Sequence, residues 1–237
     1  EPVASFTVGF AACAINHYSS SGLNIWLVIL SSLIILVPGL SLTMGLAELS
    51  SRNMVSGTSR VMDATMQLFK LYFGAFLGVS LGYQLFGQQE LAMAATLPFW
   101  VNWLGVLMLS VGLVAIFRTR MKHVPWAIAS TFIAYGASTW SSGFLENGLG
   151  AFVGAFALGV FANLFSRIAN APSTIVAMHG LIVLVPGSKT YIGLNSFISG
   201  QDIIKVDHIG QETFLILMSL VAGLIFANVV MPTRKAL

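Results

Sequence analysis

The sequence predicts an all-α integral membrane protein: a polytopic helical bundle of about eight spans, with an inverted-topology repeat and two Pro-Gly broken helices. Three observations lead there. The 237 residues are 57% hydrophobic and only 8% charged, with a mean hydropathy of +0.87, whereas a soluble domain carries about 25% charged residues. Apolar runs of membrane-crossing length recur along the chain with short polar connections between them. The motif Leu-Val-Pro-Gly interrupts two of those runs, at Leu36–Gly39 and Leu184–Gly187.

A spanning helix needs about 20 mostly apolar residues. The candidate spans are 2–16, 24–48, 60–86, 98–117, 124–141, 148–166, 173–198 and 209–231. The first is short, as expected of a span cut near its start. It lacks the charged n-region and cleavage site of a signal peptide. No low-complexity linker separates the spans, so the expectation is one bundle of antiparallel helices. The single Cys13 excludes an internal disulfide and a cysteine metal cluster, and His17, His123, His179 and His208 have no paired ligand spacing. No metal and no cofactor are expected.

The net charge of +3 and pI of 9.2 are read as topology rather than as a nucleic-acid surface. With the spans alternating, Arg52, Arg60, Arg118, Arg120, Lys122, Arg167, Arg234 and Lys235 fall on one side, eight of the eleven basic residues. Glu90, Glu146, Asp202, Asp207 and Glu212 fall on the other side, with Lys205. Excess Lys and Arg marks the cytoplasmic face, so both ends of the chain are expected in the cytoplasm. Lys70 and Lys189 lie inside apolar spans.

Setting residue 34 on residue 182 superposes "IILVPG" on "IVLVPG", an offset of 148. Gly45 then falls on Gly193, Leu46 on Leu194 and Ser51 on Ser199. Five spans separate the copies, and an odd number inverts the orientation. Inverted repeats with interrupted helices are a transporter signature, with substrate held near the midplane. The division read from this is 1–97 as the C-terminal part of a first repeat and 98–237 as a second, inverted one. The breaks lie about 20 Å into their spans at 1.5 Å per residue.

Proline removes a backbone donor and glycine permits the dihedrals that follow. The half-helix before a break exposes carbonyl oxygens, and the half-helix after it exposes N–H groups. In hydrocarbon those groups need a protein, water or ligand partner. A zwitterionic amino acid offers a carboxylate for one end and an ammonium for the other. The candidate substrate-binding residues are therefore Pro38, Gly39, Ser41 and Thr43 at the first break, and Pro186, Gly187, Ser188, Lys189, Thr190 and Tyr191 at the second. A kink used only for packing is the competing reading.

Lys189 is the sharpest candidate, because a charge at membrane depth is costly and usually faces a cavity or partner; snorkelling toward the interface is its alternative. Gating or coupling roles are assigned to Glu48, Arg60, Lys70 and His179. Glu48 and Arg60 could form a salt bridge or gate, or a solvated loop pair. Lys70 could pair with Asp63 or Glu48. His179 could relay protons, with a helix-interface hydrogen bond as the stronger reading. Asn195 and Trp140 are better read as packing or interfacial anchors. The Gly74, Gly78, Gly82 stripe and the Gly150, Gly154 pair are read as close helix packing, with a homo-oligomer contact as an option.

The run "IILVPGLSLTMGLAELSSRNMVSGTSRVMDA", residues 34–64, resembles the threonine/serine exporter family, with Glu48–Leu49 and Ser56, Gly57, Thr58 and Arg60 in matching order. "LVPGSKTY", residues 184–191, resembles that family's second half. The resemblance implies a secondary transporter in a bacterial inner membrane. It would export threonine, serine or similar small polar solutes, driven by the proton motive force. Some members are linked to dicarboxylates instead. Fused members have about ten spans after a hydrolase-like region, so a segment preceding Glu1 in a longer protein is expected. A passive pore and a structural scaffold are the other classes; an enzyme lacks a nucleophile–base pair here.

Overall fold

The computed structural model describes residues 1–19, 24–50, 53–87, 98–145, 148–192 and 209–232. Arg52, Glu90, Glu146, Asn195, Asp202, Lys205, Asp207, His208, Arg234 and Lys235 lie outside them, as do the matched residues Ser51, Gly193, Leu194 and Ser199. Among the described residues the chain is helical and has no strand: α1 Pro2–Ser19, α2 Ile25–Leu33, α3 Gly39–Ser50, α4 Met54–Phe86, α5 Phe99–Ile116, α6 Val124–Ser141, α7 Gly150–Ala169, α8 Thr174–Leu184, α9 starting at 187 and described to 192, and α10 Ile209–Val230.

Each of the eight expected segments contains helix. Among the described residues, four helices are long and apolar enough to cross a membrane: Met54–Phe86, Phe99–Ile116, Gly150–Ala169 and Gln211–Val230. A fifth is reached if the bent pair Ile25–Leu36 and Gly39–Leu49 counts as one span. The third segment starts earlier than expected, at Met54 rather than residue 60. α4 has 33 residues, so it is about 50 Å long, well beyond a hydrocarbon core of about 30 Å. Hydropathy marks only the part in lipid, so Arg60 stands within the helix rather than in a loop.

The chain packs as two compact units: Glu1–Thr96 with Gly187–Gly210, and Leu97–Pro186 with Gln211–Leu237. The stretch beginning at Gly187 packs with the first unit rather than with the second.

In the first unit α1 lies tightly against α4, and glycines make the approach possible. A Cβ on Gly74 would strike Ser5 Oγ and the Pro2 carbonyl; one on Gly78 would strike the Phe6 carbonyl; one on Gly82 would lie 2.5 Å from Cys13 Cβ. The glycine stripe is thus occupied by α1. Cys13, Ile25, Trp26, Ile29, Leu33, Ala75 and Val79 form the core at this seam. In the second unit α7 meets α6 and α10 in the same manner. A Cβ on Gly154 would lie 2.8 Å from the Ala134 carbonyl, and one on Gly159 2.5 Å from Ala227 Cβ. Lipid tails are as apolar as leucine, so such packing and interhelical hydrogen bonds hold membrane helices together. Here Thr131 Oγ1 donates to Ser110 Oγ at 2.9 Å, Ser130 Oγ to the Val176 carbonyl at 3.0 Å, and Asn163 Nδ2 to Asn228 Oδ1 at 2.9 Å.

Candidate functional site

Both Leu-Val-Pro-Gly motifs break their helices, and with matching geometry. The residue before a proline is driven out of the helical region by the ring. Val37 has φ −71°, ψ 121° and Val185 has φ −65°, ψ 126°. Helix resumes at the glycine in each case, at Gly39 and at Gly187. The approaches differ. Ile34–Leu36 tightens into a 3-10 turn before the first break, and the axes on either side diverge by 54°. Before the second, α8 runs as α-helix to Leu184.

Gly187, where helix resumes after the second break, lies beside the first. A Cβ on Gly187 would lie 3.4 Å from Val37 Cγ1 and 3.8 Å from Gly39 Cα. Tyr191 is 0% exposed. It packs with Leu30, Leu71 and Tyr72, against Leu36 and Val37 of the first break, with its ring 6.4 Å from that of Tyr72. The Tyr191 hydroxyl has no hydrogen-bond partner among the described residues. A buried hydroxyl left without a partner is costly, so this one marks a place where a polar group would be welcome.

Ser41, Ser188, Lys189 and Thr190 are half-buried on the first turns after the breaks, and Pro38, Gly39 and Pro186 are buried. Thr43 is buried as well, but its hydroxyl donates to the Gly39 carbonyl at 3.1 Å within its own helix. A residue missed by sequence reasoning completes the first break. Gln67 Nε2 of α4 donates to the Leu36 carbonyl at 2.9 Å, which satisfies one of the oxygens the break releases. An amide in the middle of an apolar span was the available signal.

Glu48 and Arg60 form a salt bridge of 2.8 Å, with Ser56 Oγ donating to the other carboxylate oxygen at 2.6 Å. They clasp α3 to α4 beside a close glycine contact of Gly45 with Gly57. The Glu48 carboxylate is thus engaged by Arg60 and Ser56, and Lys70 is exposed along α4. Trp140 is also exposed, at the end of α6.

His179 lies in the second unit and is 1% exposed. Its Nδ1 is 2.7 Å from the Ile175 carbonyl and its Nε2 3.1 Å from Thr119 Oγ1. A carbonyl only accepts, so Nδ1 carries the proton, and in the neutral ring Nε2 accepts from the Thr119 hydroxyl. The Thr119 contact ties α8 to the turn after α5. His179 also lines a cavity of about 650 Å³ between the α5–α6 and α7–α8 connections, beside Arg118, Arg120, Lys122 and His123. Burial, then Lys122 and Arg120, hold His123 below the ordinary histidine range.

Two threonine/serine exporter family profiles match, one over residues 1–82 and the other over residues 102–230. The chain belongs to the threonine/serine exporter family. It is similar to pheromone-regulated membrane protein 10 of three yeasts. That of Eremothecium gossypii is 28% identical over 78% of this chain and 26% of the relative. That of Candida glabrata is 26% identical over 84% of this chain and 26% of the relative. That of Candida albicans is 29% identical over 83% of this chain and 19% of the relative. The chain thus spans about a quarter of the first two relatives. No solved structure matches. Family and helices together make this a multi-pass membrane protein of a transporter family.

Proposed function

We propose that the chain is the membrane portion of a secondary transporter that exports threonine, serine or similar small polar solutes, with the solute held at the two Pro-Gly breaks. One observation carries this reading: Gly187 lies against Val37 and Gly39, although 148 residues separate the motifs. A break beside the start of another helix offers carbonyl oxygens and N–H groups to one small zwitterion. The half-buried hydroxyls and Lys189 on the following turns, and the Tyr191 hydroxyl below, add polar groups within a few turns of both breaks.

An eight-span inverted repeat is part of the proposal. Helix limits recur at the offset of 148 residues: α1 and α7 begin at Pro2 and Gly150, the breaks follow Leu36 and Leu184, and helix resumes at Gly39 and Gly187. The seam of α1 with α4 recurs as that of α7 with α10. Both observations support internal duplication. Cytoplasmic placement of the ends and of the basic loops rests on the positive-inside pattern. The bacterial inner membrane and the proton motive force rest on the family resemblance, since the relatives above come from yeasts. Family membership likewise speaks for a transporter rather than an enzyme.

The test is uptake of labelled threonine into inverted vesicles containing the full-length protein. Gradient-dependent uptake, abolished by an uncoupler, is expected. Flux that runs downhill and ignores the uncoupler would make the protein a pore. Uptake of labelled succinate in place of threonine would make it a dicarboxylate exporter.

A further inference from the structure

The cavity of the second unit is separate from the breaks in sequence and has a chemistry of its own. Arg118, Arg120 and Lys122 line it, while no aspartate or glutamate among the described residues does. Three cations around one cavity repel one another, and an anion between them relieves that cost. Asn170 and Thr174 supply neutral hydrogen-bonding groups on the opposite connection, and Ile175 and Met178 an apolar wall. The α5–α6 turn is built to hold this arrangement. Thr119 N–H bonds the Val114 carbonyl at 3.1 Å and Arg118 N–H the Ala115 carbonyl at 3.2 Å, a Schellman ending with Arg118 at φ +48°. Glycine is the usual residue at such a position. The other non-glycine residue at positive φ among the described residues, Asn170, also lines the cavity.

We propose that this cavity binds a phosphate group, presented by a lipid headgroup or free in solution. Phosphate offers three or more acceptor oxygens and up to two charges, which suits two guanidinium forks and an ammonium. A zwitterionic amino acid fits poorly, because its ammonium would meet three cations. Basic pockets between membrane helices on the cytoplasmic side are suited to anionic headgroups, and the apolar wall can receive the root of an acyl chain.

The experiment uses the purified full-length protein in detergent and in nanodiscs. Inorganic phosphate is titrated in detergent, with thermal unfolding as the readout. Lipid retention is measured by native mass spectrometry after exposure to phosphatidylcholine with and without phosphatidic acid. A rise in unfolding temperature with phosphate assigns the site to free phosphate; selective retention of phosphatidic acid assigns it to the headgroup. Arg118→Gly with Arg120→Gln and Lys122→Gln should weaken binding by about tenfold or more; glycine suits the Arg118 backbone, so this change does not strain the turn. Met178→Trp keeps every charge and fills the cavity, and should weaken binding as well. Arg167→Gln removes a basic residue outside the cavity and should leave binding unchanged. Absence of both effects in the wild type overturns the proposal. So does wild-type binding by either cavity variant, an equal loss in Arg167→Gln, or tighter binding of succinate than of phosphate.

Discussion

The two Pro-Gly breaks share a backbone but not their surroundings. Val37 and Val185 take nearly the same extended dihedrals, as proline demands of its predecessor. The first break stays within one packing unit, whereas the chain passes from the second unit to the first at Pro186 and Gly187. At the first, Gln67 satisfies the Leu36 carbonyl. The residue 148 positions later is Leu215, whose side chain donates nothing to Leu184. After the first break stands Ser41, and at the matching place after the second stands Lys189. The first break is thus met by a side-chain amide, while the second is followed by Lys189 and by a Tyr191 hydroxyl that has no hydrogen-bond partner among the described residues. The lesson is that a repeated motif fixes local backbone, whereas the side chains around each copy are set by the helices packed against it.

The largest expected effect follows from that asymmetry. If Lys189 holds the solute, Lys189→Met in the full-length protein should lower threonine flux by at least about tenfold with normal membrane insertion, because charge-assisted hydrogen bonds contribute about 1.5–3 kcal/mol. Ser41→Ala should lower it far less. Flux assays on both variants test the pair: equal losses would remove the asymmetry, and wild-type flux in Lys189→Met would return Lys189 to snorkelling along its stem.

Next comes Tyr191→Phe. The ring is fully buried, and its hydroxyl has no partner among the described residues, so deleting that oxygen should leave thermal stability unchanged or slightly raised. If the hydroxyl serves the solute, KM for threonine should rise about threefold to tenfold, the worth of one neutral hydrogen bond. Unchanged KM together with unchanged stability would take Tyr191 out of the site.

Much of this was legible in the sequence for a simple reason. Proline and glycine act on their own backbone, so the breaks at Pro38 and Pro186 needed no tertiary information. Apolar length located the helices, because hydrocarbon enforces internal hydrogen bonding. The start of α4 was less legible, since its first turns extend past the apolar segment and hydropathy says nothing there. Gln67 and Leu36 are 31 residues apart, and no local pattern links an amide to a carbonyl across two helices. Arg118, Arg120 and Lys122 were read only as a topology signal. Their convergence on one cavity depends on how the α5–α6 and α7–α8 connections pack, which composition does not encode.

Gln67→Leu sharpens the scaffold side of the comparison. It places at 67 the residue type found 148 positions later, Leu215, and removes the amide that donates to the Leu36 carbonyl. The expected loss is about 1–2 kcal/mol of stability, seen as a lower unfolding temperature in detergent. Flux per folded molecule should change little. A large loss of flux at unchanged stability would mean that Gln67 serves the solute rather than the helix.

The smallest effect belongs to the clasp at the other end of α3. Arg60 is 51% and Glu48 22% exposed, so solvent screens their attraction, and pairs of this kind typically contribute about 0.2–1 kcal/mol. Glu48→Gln keeps an acceptor for the Ser56 hydroxyl and removes only the charge, so unfolding temperature should fall slightly. Added salt should erase the difference between wild type and variant, because it screens the same charge. The clasp earns a gating role only if flux responds more strongly than stability. Charge reversal of the pair, Glu48→Arg with Arg60→Glu, separates the two roles. A simple clasp should recover both stability and flux when the pair is reversed. A gate that reads the sign of the charge should recover stability alone.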